Sequence, residues 1–166
     1  EWLHYDDGQF IDGIGGPSHF YWGIMFPASK LEAYAGASLT KVATYIRNSD
    51  AADGKIHIYY GGTYAPEMII HTQDFAATTY EEYVEFNLTY PLPISGEESI
   101  WVVLESSHGA SYPAAGSVDC GDPNSRWISL DGATWEDIVD YGLNLTWMIR
   151  AYVSVDGRGT VALDEN

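Results

Sequence analysis

Short runs of aromatic and β-branched residues recur along this chain, and turn formers close nearly every run before a helix of useful length could develop. Phe20 to Ala28 (FYWGIMFPA) meets Pro27, Lys55 to Tyr60 (KIHIYY) meets Gly61-Gly62, and Ile100 to Glu105 (IWVVLE) follows the acidic turn Ser95 to Ser99 (SGEES). Residues of this kind suit a pleated, half-buried surface, and Gly, Pro and Asp-Gly punctuate the links between strands. About eight such segments point to an all-β chain folded as a two-sheet antiparallel β-sandwich of jelly-roll type. An immunoglobulin-like sandwich is the rival, but its Cys, Trp, Cys spacing is absent.

Individual segments sharpen this picture. The almost wholly apolar IWVVLES predicts a central core strand. Ser38 to Arg47 and Lys55 to Tyr60 alternate apolar with polar residues across the polar turn Asn48 to Gly54 and read as a hairpin. SKLEAYAG has room for one or two helical turns before Gly36. The Gly-, Ser-, Pro- and Ala-rich segment Ser106 to Ser125 reads as a long loop, and long loops in compact domains often carry function. Arg126 to Leu130 (RWISL) alternates and then meets Asp131-Gly132, a pair suited to tight turns. The closing LTWMIRAYV reads as one core strand.

With 166 residues, the chain suffices for one sizeable core. Residues 1–155 are expected to form a single domain, with 156–166 a tail or a linker to a following module. The chain starts at Glu1 with no charged-then-apolar leader, as a segment cut from a longer precursor would. The formal net charge of -17 repels phosphate backbones and anionic head groups, which argues against a nucleic-acid partner. No apolar run is long enough for a spanning helix, so membrane insertion is not expected. Cys120 is the single cysteine, so an internal disulfide is impossible. Its neighbours Asp119 and Asp122 would raise a thiol pKa, and we read it as inert. Neither a nucleotide-binding motif nor an internal repeat is present.

Several stretches resemble a known family when taken together in order. They are the strand, Asp131-Gly-x-x-Trp135 and closing strand of residues 126–153; Tyr34-Ala-Gly-x-x-Leu-Thr-Lys-Val; Pro91 to Ile94 before the strand Ile100 to Glu105; and Tyr112-Pro-Ala-Ala-Gly with Asp119 downstream. This pattern is similar to the adhesin-type β-sandwich modules of the Bacteroidetes gingipain and hemagglutinin group. The resemblance implies a module of a larger secreted or cell-surface bacterial protein, beside protease domains or in tandem arrays.

Three constellations could carry chemistry. Asp119, Asp122, Asn124 and Asp131 offer short oxygen donors in turns, the type of ligand that a structural Ca²⁺ takes; Asx turns capping their own backbone are the alternative. Tyr64, Tyr112, Trp127 and Trp135 lie near turns, where an aromatic face can stack on the apolar face of a sugar, whereas Trp101 and Trp147 sit in strand patterns and belong to the core. Acidic pairs such as Glu81 and Glu82, or Asp137 and Asp140, could serve a small glycoside hydrolase only if they faced each other across a cleft. No catalytic residue is assigned. The leading expectation is a non-catalytic extracellular binding module for a glycan or a host or neighbouring protein surface, with an accessory spacer packed on a protease domain as the alternative. The sandwich end bearing the Ser106 to Ser125 loop and the Asp131 turn is the expected face.

Overall fold

The computed structural model describes residues 1–107 and 110–155. The tail reading for 156–166 and the His108 position lie outside them. In chain order the strands are β1 (Trp2–His4), β2 (Asp12–Ile14), β3 (Tyr21–Phe26), β4 (Ser38–Ile46), β5 (Asp53–Tyr60), β6 (Met68–Ala76), β7 (Glu82–Pro93) and β8 (Ile100–Ser106). They continue with β9 (Ala114–Val118), β10 (Trp127–Ser129), β11 (Glu136–Asp137), β12 (Leu145–Trp147) and β13 (Ile149–Ser154). An α-helical turn, α1 (Ala28–Leu31), runs into a 3-10 turn at Glu32–Tyr34, within the segment expected to be helical.

The β-sandwich is present. A four-stranded sheet, β1-β13-β4-β7, and a six-stranded sheet, β11-β10-β3-β8-β5-β6, are joined by a three-stranded sheet, β12-β9-β2. Every pairing is antiparallel. Strand alternation supplies the core: Trp22, Ile24 and Phe26 of β3, Val102 and Leu104 of β8, and Ile56 and Ile58 of β5 meet Leu39, Val42 and Ile46 of β4 and Ile149, Ala151 and Val153 of β13. IWVVLES is the central strand β8, with β3 and β5 on either side.

Three local expectations are corrected. β4 and β5 do not form a hairpin: β4 pairs with β13 and β7, while β5 pairs with β6 and β8. Each strand has one apolar face, and the two faces fill the same core from opposite sheets, so the turn between them crosses the sandwich. The segment read as a loop from Ser106 to Ser125 contains β9, the middle strand of the three-stranded sheet, buried from Ala114 to Ser117. Its small residues let neighbours approach closely: a Cβ on Gly116 would lie 3.0 Å from a Leu145 methyl. LTWMIRAYV is two strands. Met148 donates its N–H to the Ala115 carbonyl (3.0 Å), and its own carbonyl accepts from the Tyr45 N–H (3.2 Å) and the Thr44 hydroxyl (2.9 Å). The chain thereby passes from one sheet to the next.

Candidate functional site: a carboxylate-rimmed cleft on the outer face

The alternation that sends Trp22 and Ile24 inward sends Tyr21 and Met25 outward, and on β8 it sends Trp101, Val103 and Glu105 to the same outer face. Gly23 sits between them because a Cβ there would lie 2.8 Å from the Val102 carbonyl oxygen. Met25, Trp101, Val103, Trp127 and Trp135 form a second, smaller apolar cluster on this face. The Trp101 ring lies 5.3 Å from that of Trp127 and 5.7 Å from that of Trp135. Trp101 is fully buried, as expected; Trp127 at 8% and Trp135 at 9% exposure are mostly buried too. Trp147 is a core residue, its indole N–H donating to the Trp127 carbonyl at 2.8 Å.

The β5 to β6 connection folds over this cluster. The Gly62 carbonyl accepts from the Trp101 indole N–H (3.1 Å) and the Ser99 hydroxyl (2.7 Å), and Gly61 N–H donates to the Ser99 carbonyl at 2.9 Å. Gly62 has φ of +102°, and a Cβ there would come within 1.9 Å of the Ala65 carbonyl oxygen, so only glycine fits. The loop so anchored holds Tyr64 out into solvent, 78% exposed. Between this loop and the Pro123–Ser125 turn lies a cleft of about 790 Å³ lined by Tyr64, Trp127, Asn124, Glu67, Glu97, Glu98 and Asp137, among others. Two expected ligand-binding residues, Tyr64 and Trp127, therefore share one cleft; Trp135 supports its floor through Trp101. Tyr112 does not join them. It is half exposed at a positive φ of 51°, near the Arg47 guanidinium, whose N–H groups donate to the carbonyls of Ser111 and Tyr112.

The four residues proposed as metal donors are each engaged locally, Asp122 and Asn124 in one turn and Asp119 and Asp131 in others. Asp122 caps the Pro123–Ser125 turn by accepting from Asn124 N–H (2.9 Å) and pairs with Lys30 at 3.4 Å. Asp119 accepts from Gly121 N–H (2.8 Å) and from the Arg126 guanidinium (2.8 Å), which also binds Asp137 at 2.9 Å. Burial alone would lower the Arg126 pKa, but Asp137 and Asp119 outweigh it and raise it. Asp131 forms an Asx turn with the N–H groups of Thr134 and Ala133, which hold its carboxyl below the ordinary range. Asn124 accepts from the Trp127 indole at 3.4 Å. Among the described residues no group of three or more His, Cys, Asp or Glu is placed to hold a metal ion.

The reading of Cys120 needs a correction. Desolvation and the Asp122 charge do raise the thiol pKa, but hydrogen bonding to Ser125 and Thr146 and from the backbone side of Asp122 prevails, and the pKa is lowered. Asp122 engages through hydrogen bonds as well as charge, which sequence proximity does not convey.

Sequence reasoning missed two groups. The carboxylates of Glu67, Glu97 and Glu98 reach one cleft only because the 61–67 loop folds back against the start of β8. On the same outer face, Glu105 accepts from His19 (2.6 Å) and His57 (2.7 Å), and the other His57 nitrogen bonds Thr72 at 2.8 Å. Burial alone would raise the Glu105 pKa, yet the two imidazoles lower it. Of these groups, His19 and Glu105 border a second cavity of about 510 Å³, together with Asp53, Asp74 and Lys55. Antiparallel register, pairing Tyr21 with Glu105 and Lys55 with Glu105, brings them together; no local spacing announces it.

No protein-family model and no curated protein matches the chain. Among solved structures, the fold is similar to part of a chain comprising the cysteine protease and lectin-like domains of Cwp84, a surface layer associated protein of Clostridium difficile. The TM-score is 0.53 at 15% identity, and the match covers 82% of this chain and 32% of that one, so this chain spans about a third of its length. At that identity the likeness is one of fold, and the likeness to gingipain-type modules rests on the quoted motifs alone.

Proposed function

We propose that this chain is a non-catalytic binding module that recognises carbohydrate through the cleft beneath Tyr64, within a larger protein of the bacterial cell surface or secretome. The observation that carries the reading is an aromatic ring 78% exposed on a glycine-anchored loop, above a cleft walled by Trp127 and rimmed by hydrogen-bond acceptors. A sugar presents an apolar C–H face to such a ring and its hydroxyls to such acceptors. An all-β sandwich with one short helical turn is the architecture expected of a lectin-like domain, and the surface-layer neighbour supports an extracellular setting. No helix among the described residues is long and apolar enough to cross a membrane.

A protein-contact reading has its own support: Met68 and Ile69 of β6 and Tyr90 of β7 are exposed on neighbouring edge strands. A glycan array followed by calorimetric titration, each with calcium and with chelator, separates the two. Saturable binding to a carbohydrate that Tyr64→Ala weakens about tenfold or more, with thermal unfolding unchanged, is the expected result. Full affinity in that variant would remove the cleft from the account, and a blank array with tight capture of a neighbouring protease domain would favour the spacer.

A further inference from the structure

We propose that the cleft selects sugars bearing a protonated amine and rejects carboxylated or sulfated ones, a selectivity that rests on its being the carbohydrate site. Glu67, Glu97 and Glu98 are exposed on the rim, and among the described residues their carboxylates have no hydrogen bond or ion pair. Among the described residues no Lys, Arg or His lines the cleft.

The basic residues all have partners, and the one that reaches a residue of the cleft wall, Arg126, is spent on Asp137 there. Lys30 pairs with Asp122, Lys41 with Glu85, Lys55 with Asp74, Arg150 with Asp6 and Arg126 with Asp119 and Asp137, while Arg47 donates to two carbonyls. These six are all the Lys and Arg of the described residues. The three glutamates therefore keep their charge without a partner while Arg126 offsets only Asp137, and a concave low-dielectric wall concentrates what remains. An ammonium entering here meets carboxylates and the face of Tyr64, a cation–π acceptor. An anionic sugar meets a net negative rim.

The test uses calorimetric titration at pH 6 with three probes: the β-1,4-linked tetramer of glucosamine, its fully N-acetylated counterpart and a galacturonate tetramer. Tighter binding of the amine form by about tenfold, falling with added salt, and no binding of the galacturonate are expected. The triple variant Glu67→Gln, Glu97→Gln, Glu98→Gln should erase the preference while retaining the N-acetylated tetramer. A control triple, Asp50→Asn, Glu81→Gln, Glu82→Gln, removes as much charge around the start of β7, the strand end remote from the cleft, and should keep it. Equal affinity for the two tetramers, uptake of galacturonate, or equal loss of preference in both triples overturns the proposal while leaving a carbohydrate site. Failure of the carbohydrate reading looks different: no sugar binds, or Tyr64→Ala changes neither tetramer's affinity, and the selectivity falls with it.

Discussion

The carboxylates of the 119–137 segment, of which Asp137 reaches the cleft wall, and the glutamates of the cleft rim look alike in sequence and behave in opposite ways. Asp119, Asp122, Asp131 and Asp137 are each engaged by backbone N–H groups or by Lys30 and Arg126, so their charge serves the local fold. Glu67, Glu97 and Glu98 serve no such purpose and remain open to a ligand. Short Asp side chains next to Gly, Pro or Asn reach their own backbone, whereas longer Glu side chains past a turn do not. An acidic cluster spaced for Asx turns is therefore the one least available to a ligand.

Removing the floor beneath the open group should have the largest effect. Trp101→Ala leaves a cavity under Trp127 and Trp135 and strips the Gly62 carbonyl of one donor, at an expected cost of about 3–5 kcal/mol in denaturant unfolding. Sugar binding should disappear with it; a stability loss with binding intact would detach the cleft from this cluster. Arg126→Ala acts on the committed group, leaving Asp119 and Asp137 unpaired. We expect about 1–2 kcal/mol, discounted because both carboxylates are partly solvated.

Calcium then sharpens the contrast. In the native protein about 5 mM calcium should shift the melting temperature by less than about 1 °C, because the loop carboxylates are already occupied, and the shift should grow in Arg126→Ala. A large, saturable shift that persists when Glu67, Glu97 and Glu98 are all changed to Gln would show that the loop carboxylates rearrange onto an ion.

The Glu105 array gives the smallest expected effect. Its carboxyl pKa is lowered in the fold, so its contribution to stability is complete above the ordinary glutamate range, about pH 4.3, and is lost as pH falls through the lowered folded value. Glu105→Gln should flatten that part of the stability profile, measured by denaturant unfolding between pH 2 and pH 6. An unchanged slope would mean that His19 and His57 do not hold the carboxylate in solution.

Much of this was legible in advance. Alternation assigned the inward residues Ile56 and Ile58 of β5, continuous apolar runs marked β3 and β8 as buried strands, and strand patterns placed Trp101 and Trp147 in the core; turn chemistry placed the strand ends near Gly61-Gly62 and Asp131-Gly132. Composition misled where small residues were read as a loop and proved to be the buried strand β9, and where sequence adjacency was read as pairing of β4 with β5. Of the four expected ligand-binding aromatics, Tyr64 and Trp127 share the cleft, Trp135 lies behind it and Tyr112 stands apart.

The period of the side chains along each strand is a local property, and so the sequence by itself determined that this is a β-sandwich with an apolar inner face. Whether a carboxylate is bound or free, and which aromatic ring stands over which cleft, depends on partners tens of residues away whose approach is set by strand order and register. Only the tertiary structure decided those.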